Sequence, residues 1–196
     1  MFEQSGPLTT KLKRFQSNYY NDFQSVPKSD DSYQLSTKGE MERIERHRKN
    51  VFDTYRSGAL ELKKQLSDLE FNTNWKERHL FFPNSQQMDQ QKKQSALMER
   101  SLAIQKLQGS GANVQGLLTE IKNNFNNGNT DACGEMYQYL LSHTLQGMSM
   151  ENNFNLISEL KNGFKAKGLD DLNDMKKDLS TAKNEFATIE NKFKIN

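Results

Sequence analysis

The sequence predicts an all-α protein, and three observations carry that prediction. Apolar residues recur at alternating three- and four-residue spacings through most of the chain; prolines are confined to Pro7, Pro27 and Pro83; and no run of strand length alternates apolar with polar residues. Valine, a residue enriched in strands, stands only at Val26, Val51 and Val114. With 34% hydrophobic and 27% charged residues and a mean hydropathy of -0.93, the chain is too polar for a thick globular interior. Helices that each bury one narrow stripe fit this composition. The expected architecture is an elongated helical bundle, with an N-terminal arm over residues 1–35, a long helical hairpin over 36–125 and a smaller C-terminal helical region over 129–196.

In the arm, Leu8, Leu12, Phe15, Tyr19 and Phe23 fall on one helical face, so a helix is expected from about Leu8 to Phe23. Pro27 stops it, and Ser25 to Ser36 reads as a linker. The arm also holds Phe2, Tyr20 and Tyr33, more aromatic surface than its own sequence can bury, so it is expected to pack on a partner. Thr37 and Glu40 have capping-box spacing, which predicts a helix start at Thr37. Beyond it Met41, Ile44, Val51, Tyr55, Ala59, Leu62, Leu66 and Leu69 form one stripe, with charges of both signs on the opposite face. Gly58 within it marks a bend or a close helix approach. Trp75 to Phe82, followed by Pro83 and Asn84, ends this helix in a corner.

Ser85 is then expected to cap a second long helix, Gln86 to Asn124, whose stripe is Leu97, Arg100, Ile104, Leu107, Gly111, Val114, Leu118, Ile121 and Phe125. Its first turns, Gln86 to Gln94, carry no apolar residue but Met88 and should stand in solvent or in the grip of another chain. The stripes of 37–74 and 86–124 are expected to zip into an antiparallel hairpin. Asn123 to Asn129, with Gly128 suited to the left-handed turn after a helix, is the clearest break and the expected main boundary. Two helices follow, one carrying Ala132, Met136, Leu140, Leu141, Leu145 and Met148, the other Phe154, Ile157, Leu160 and Phe164 and ending near Gly168. In the last helix Leu172, Met175, Leu179, Ala182, Phe186, Ile189 and Phe193 keep the heptad spacing without an error, which predicts a seam buried against a helix of this chain or of a partner.

The formal charge is only +2, with basic and acidic residues interleaved, so nucleic acid is not an expected partner. The densest basic run, Lys38, Arg43, Arg46, Arg48 and Lys49, contains Glu40, Glu42 and Glu45; it leaves a weak nucleic-acid or anionic-surface binder as a third reading. One cysteine, Cys133, excludes an internal disulfide framework and fits a reducing compartment. Apolar runs such as Leu80-Phe81-Phe82 fall far short of the roughly 20 residues of a membrane span, and residues 1–25 hold no signal-peptide core. The expected location is the cytoplasm, or a particle assembled there.

Chemistry-bearing patterns are sparse. His47, His79 and His143 are too scattered for a metal site, so no metal or cofactor is expected. His143 lies three turns from Cys133, beyond the reach of a nucleophile-base pair, and Cys133 reads as a small buried thiol. Gly109-Ser110-Gly111 lacks the Gly-Lys-Ser/Thr of a phosphate loop and reads as a place of close helix approach. Asp170, Asp171, Asp174 and Asp178 suit the positive end of the last helix. Met136, Met148 and Met150 read as core, or as a deformable docking surface.

These readings lead to a non-enzymatic structural or adaptor subunit of a larger assembly, such as a virion interior, a cytoskeletal or ciliary array, or a secretion apparatus. Its expected partners are proteins, further copies of itself among them, and no small-molecule substrate is expected. The residues expected to contact partners are Phe15, Tyr19, Tyr20, Phe23, Trp75, Phe81, Phe82, Leu172, Met175, Leu179, Phe186, Ile189 and Phe193. A second reading comes from Met98-Glu99-Arg100-Ser101-Leu102-Ala103-Ile104 through Val114-Gln115-Gly116-Leu117-Leu118-Thr119-Glu120-Ile121, which resembles the first half of a Q-type SNARE helix and implies membrane-trafficking machinery. The likeness stops where the central layer would stand, near Asn124 rather than a glutamine; Phe125 to Asn129 breaks the second half, and no carboxy-terminal membrane anchor is expected.

Overall fold

The computed structural model describes residues 7–26, 37–109, 113–145 and 147–195. Phe2, Tyr33, most of the expected 25–36 linker, Ser110 and Gly111 lie outside these residues. Among the described residues the fold is all-α as predicted: seven α-helices and no strand. They are α1 (Leu8–Gln24), α2 (Thr37–Phe81), α3 (Gln90–Gly109), α4 (Val114–Asn126), α5 (Thr130–Ser142), α6 (Met150–Lys165) and α7 (Leu169–Phe193), with one 3-10 turn at Asn84–Gln86. The chain divides into two compact units, Met1–Asn72 with Met175–Asn196, and Thr73–Asp174.

In the first unit three stripes meet. Leu8, Leu12, Phe15 and Tyr19 of α1 share a core with Tyr55, Ala59 and Leu62 of α2 and Ala182, Phe186, Ile189 and Phe193 of α7. The Phe193 ring lies 5.0 Å from Tyr19, 5.2 Å from Phe52 and 6.0 Å from Phe15. Such edge and tilted contacts stabilise beyond the burial of area alone. Gly58 is where α1 crosses α2, since a Cβ there would stand 3.0 Å from Phe15 Cε2. Polar groups fix the register around this core: Thr9 Oγ1 donates to Asp178 at 2.6 Å and Gln16 Nε2 to the Glu185 carbonyl at 3.1 Å. The Tyr55 hydroxyl donates to Asp22 at 2.5 Å; burial and this bond push the phenol up to about 12.

The arm is therefore not an appendage. Phe15 and Tyr19, which the sequence could not place, are covered by α2 and α7 of the same chain, with Phe23 half-buried beside them.

The second unit is built around the corner after α2. Asp131, at the start of α5, is fully buried, and its carboxylate accepts from the Asn84 amide at 2.9 Å, the Ser85 amide at 3.1 Å and the Ser85 hydroxyl at 2.6 Å. A buried carboxylate is tolerated only when so satisfied. Asn84 Nδ2 adds a bond to the Gly128 carbonyl at 3.3 Å. Ser85 thus does not cap α3 as expected; Asp89 does, accepting from the Gln91 and Lys92 amides at 3.0 and 3.4 Å.

Around this corner Phe164 of α6 meets Phe81 edge-on at 4.8 Å and Phe125 at 5.0 Å, with Tyr137 alongside. Two glycines admit these rings. A Cβ at Gly134 would collide with the Phe81 carbonyl, and one at Gly163 with the Phe125 ring.

Several expected details change. The second long helix is two helices, because Asn113 leaves helical geometry (φ -103°, ψ 61°) and its side chain caps α4 through the Gly116 amide at 2.9 Å. The SNARE-like stretch is therefore not one continuous helix. The stripes of α2 and α3 also find different partners from those expected of a hairpin: α2 is buried with α1 and α7, while α3 packs on α5. The Asn123–Asn129 break is present, with the Asn129 amide bonded to Asn124 O at 2.8 Å, the Gly128 amide to Phe125 O at 3.3 Å, and Gly128 at φ 74°. It does not separate two cores, for α4 packs on α5 and α6 within one unit.

The α7 seam yields a direct prediction. Phe186→Ala is expected to lower stability by about 3–5 kcal/mol, as for a packed aromatic. Lys183→Ala, which breaks only a half-exposed pair with Glu70, is expected to cost less than about 1 kcal/mol. Urea unfolding of the two variants checks the contrast; equal small losses would mean that the seam is solvated.

Candidate interaction surface

Most residues expected to meet partners are already covered by this chain. Phe15, Tyr19, Phe186, Ile189 and Phe193 lie in the core of the first unit, with Phe23 half-buried against it. Phe81, Phe82 and Leu172 lie in the core of the second. Met175 and Leu179 are half-buried. Of that set only Tyr20 and Trp75 stand mainly in solvent, at 58% and 53% exposure. The expected set is thus largely an intramolecular core, because periodicity marks a face that must be buried without saying by what.

One apolar surface left over is on α3, where the expected stripe is buried or half-buried at Arg100, Ile104 and Leu107 but not at its first residue. Ala96, Ala103 and Leu107 are the buried face, while the expected stripe residue Leu97 is 46% exposed. Small alanines let α3 lie close to α5. Arg100 reinforces the contact: its guanidinium stands 3.8 Å over the Phe82 ring and pairs with Glu135 at 2.7 Å. At 100° per residue, Met98 and Leu102 project opposite that buried face, and they are 67% and 40% exposed. Between the faces runs a groove of about 390 Å³ lined by Leu97, Arg100, Ser101, Ile104 and Glu135.

Gly109 closes the row, and a Cβ there would meet nothing within 4 Å, so its expected role in a close helix approach is not used inside the unit. Every residue from Gln86 to Ser95 is exposed, as expected for those turns, and Met88 is fully so. The signal that could have located this surface was in the sequence: Ala96, Leu97, Met98, Leu102, Ala103, Ile104 and Leu107 cannot all share one helical face.

Groups with chemical potential are turned to structural use. Cys133 is fully buried, its Sγ 3.8 Å from the Ile121 carbonyl, and burial pushes the thiol up to about 12, so it stays protonated at neutral pH. Ser142 and His143 stand together at the end of α5, Oγ to Nδ1 at 3.0 Å. The same Nδ1 lies 3.1 Å from the Tyr139 carbonyl, and Ser142 Oγ bonds the Gln138 and Tyr139 carbonyls at 3.1 and 3.2 Å. These contacts satisfy the last carbonyls of a helix. No group of three His, Cys, Asp or Glu among the described residues is placed to hold a metal ion. No helix among them is long and apolar enough to cross a membrane.

No protein-family model, curated protein or solved structure matches the chain.

The two faces of α3 should respond differently to substitution. Met98→Glu with Leu102→Glu is expected to leave the urea midpoint nearly unchanged, each exposed site contributing within about 0.5 kcal/mol. Leu107→Ala should destabilise by about 2–5 kcal/mol. A large loss from the outward pair would show that this face is covered.

Proposed function

We propose that the chain is a non-enzymatic structural or adaptor subunit that offers the outward face of α3 to another protein of a larger assembly. The observation that carries this reading is the two-faced character of α3. A helix that needs only one apolar face to hold its own unit nevertheless keeps Leu97, Met98 and Leu102 in water. Contiguous apolar surface of this kind is costly in solubility and marks interaction sites. The two methionines nearby, Met88 and Met98, suit a surface that adapts to its partner. Gln90 to Ser95, the exposed first turns of the same helix, lengthen the platform.

The burial of the lone thiol and the use of Ser142 and His143 in satisfying the end of α5 support a binding role over catalysis. The setting of the assembly, whether virion interior, cytoskeletal array or secretion apparatus, follows from identifying the partner. The trafficking reading is set aside because its motif spans the separate helices α3 and α4.

Site-specific photo-crosslinking tests the proposal. With a photoreactive residue at position 98 or 102, the full chain in extracts of its own host is expected to form discrete protein adducts, and the same probe at exposed Lys177 is not. Adducts equally abundant from both faces, or from neither, would contradict it.

A further inference from the structure

We propose that the cleft beside Trp75 is a nucleotide-binding site, in which a planar base stacks on the indole and phosphate is held by Lys167 and Lys76. The cleft, about 420 Å³, is formed by the last turns of α2, the start of α5 and the turn after α6, and its lining includes Trp75, Lys76, His79, Pro83, Thr130 and Lys167. It lies wholly within the second unit and shares no residue with the outward face of α3, so it stands independently of the adaptor reading.

Three observations carry the inference. The first is the state of the indole. Trp75 is the single tryptophan of the chain, yet it is 53% exposed. It is nevertheless held in place: the His79 ring stacks on it at 3.8 Å with 22° between planes, and His79 Nδ1 donates to the Trp75 carbonyl at 2.9 Å. A fixed, half-solvated aromatic plate offers stacking area to a base without the entropy cost of ordering it.

The second is charge. Lys167 has no carboxylate partner among the described residues, and it faces the cleft from the turn after α6. Lys76 faces it from α2 and pairs with Asp171 at 3.4 Å; that carboxylate is 77% exposed. An ion pair so open to water is weak, and a phosphate dianion can take over the ammonium. The third is polarity along the wall. Pro83 and the aromatic rings give the cleft an apolar side, while the lysines give it a cationic one. A ligand with a planar apolar end and an anionic end matches both, and a nucleoside phosphate has that form.

The site supplies its own reporter, since all tryptophan emission comes from Trp75. Titration of the full chain with ADP is expected to give a saturable change in that emission, with a dissociation constant below about 1 mM. Adenosine alone and inorganic pyrophosphate alone should each bind at least tenfold more weakly. Lys167→Gln should weaken ADP binding about tenfold. Asp171→Asn should tighten it several-fold by freeing Lys76, a change of opposite sign that damage to the fold would not produce. Far-ultraviolet spectra establish that both variants are folded, and equilibrium dialysis of ADP gives the same comparison without an optical signal. No saturable binding below about 10 mM would overturn the proposal. So would pyrophosphate binding as tightly as ADP, which would mean an anion patch without stacking, or equal affinities in wild type, Lys167→Gln and Asp171→Asn.

Discussion

The structure depends on one constraint, the scarcity of apolar residues. With 34% hydrophobic content, each helix can bury little more than one stripe, and a stripe is stable only when another helix covers it. In the first unit no pair of helices would suffice, because a two-helix contact leaves one side of every ring in water. Three stripes close around Phe15, Tyr19, Tyr55 and Phe193, each ring then touching at least two others. A fully buried phenylalanine contributes roughly 1.5–3 kcal/mol, so these rings are a large part of what offsets the ordering of a polar chain.

Where apolar area runs short, polar groups specify the fold. Asp131 is the clearest case: three donors from Asn84 and Ser85 converge on a carboxylate with no solvent contact. Removing any one of them would leave charge unsatisfied in the interior, which is more costly than the bond itself is favourable. The corner after α2 is thereby tied to the start of α5, and the aromatic packing of Phe81, Tyr137 and Phe164 is built on that tie. Gly134 makes the approach possible by leaving room for the Phe81 carbonyl.

What the sequence revealed was local, and what it concealed was long-range. The α7 stripe was legible because all seven of its positions obey one period. The start of α2 at Thr37 and the turn at Gly128 were legible because capping and left-handed geometry restrict residue type over a few positions. The partner of each stripe was not, since periodicity carries no address: the α1 aromatics suited a foreign surface as well as α7. Nothing local marks Asp131 as a buried tie, and its donors lie 46 and 47 positions away. In α3 the expected stripe missed the buried Ala96 and Ala103, which carry less apolar weight than the exposed Leu97 that it included. In α6, likewise, Leu156 and not Phe154 faces the core, and Phe154 is 69% exposed.

The candidate surface on α3 is apolar area that neither core uses. The central claim is that the α7 seam is covered from within the chain while the outward face of α3 is not. Hydroxyl-radical footprinting of the isolated chain, read by mass spectrometry residue by residue, tests it most directly. The account predicts strong modification of Met88, Met98 and Leu102, with Met136, Phe186 and Phe193 protected until the chain is unfolded. Modification of Phe186 and Phe193 at rates matching Met98 in the folded chain would contradict it, because the α7 seam would then be open and its partner would lie outside this molecule.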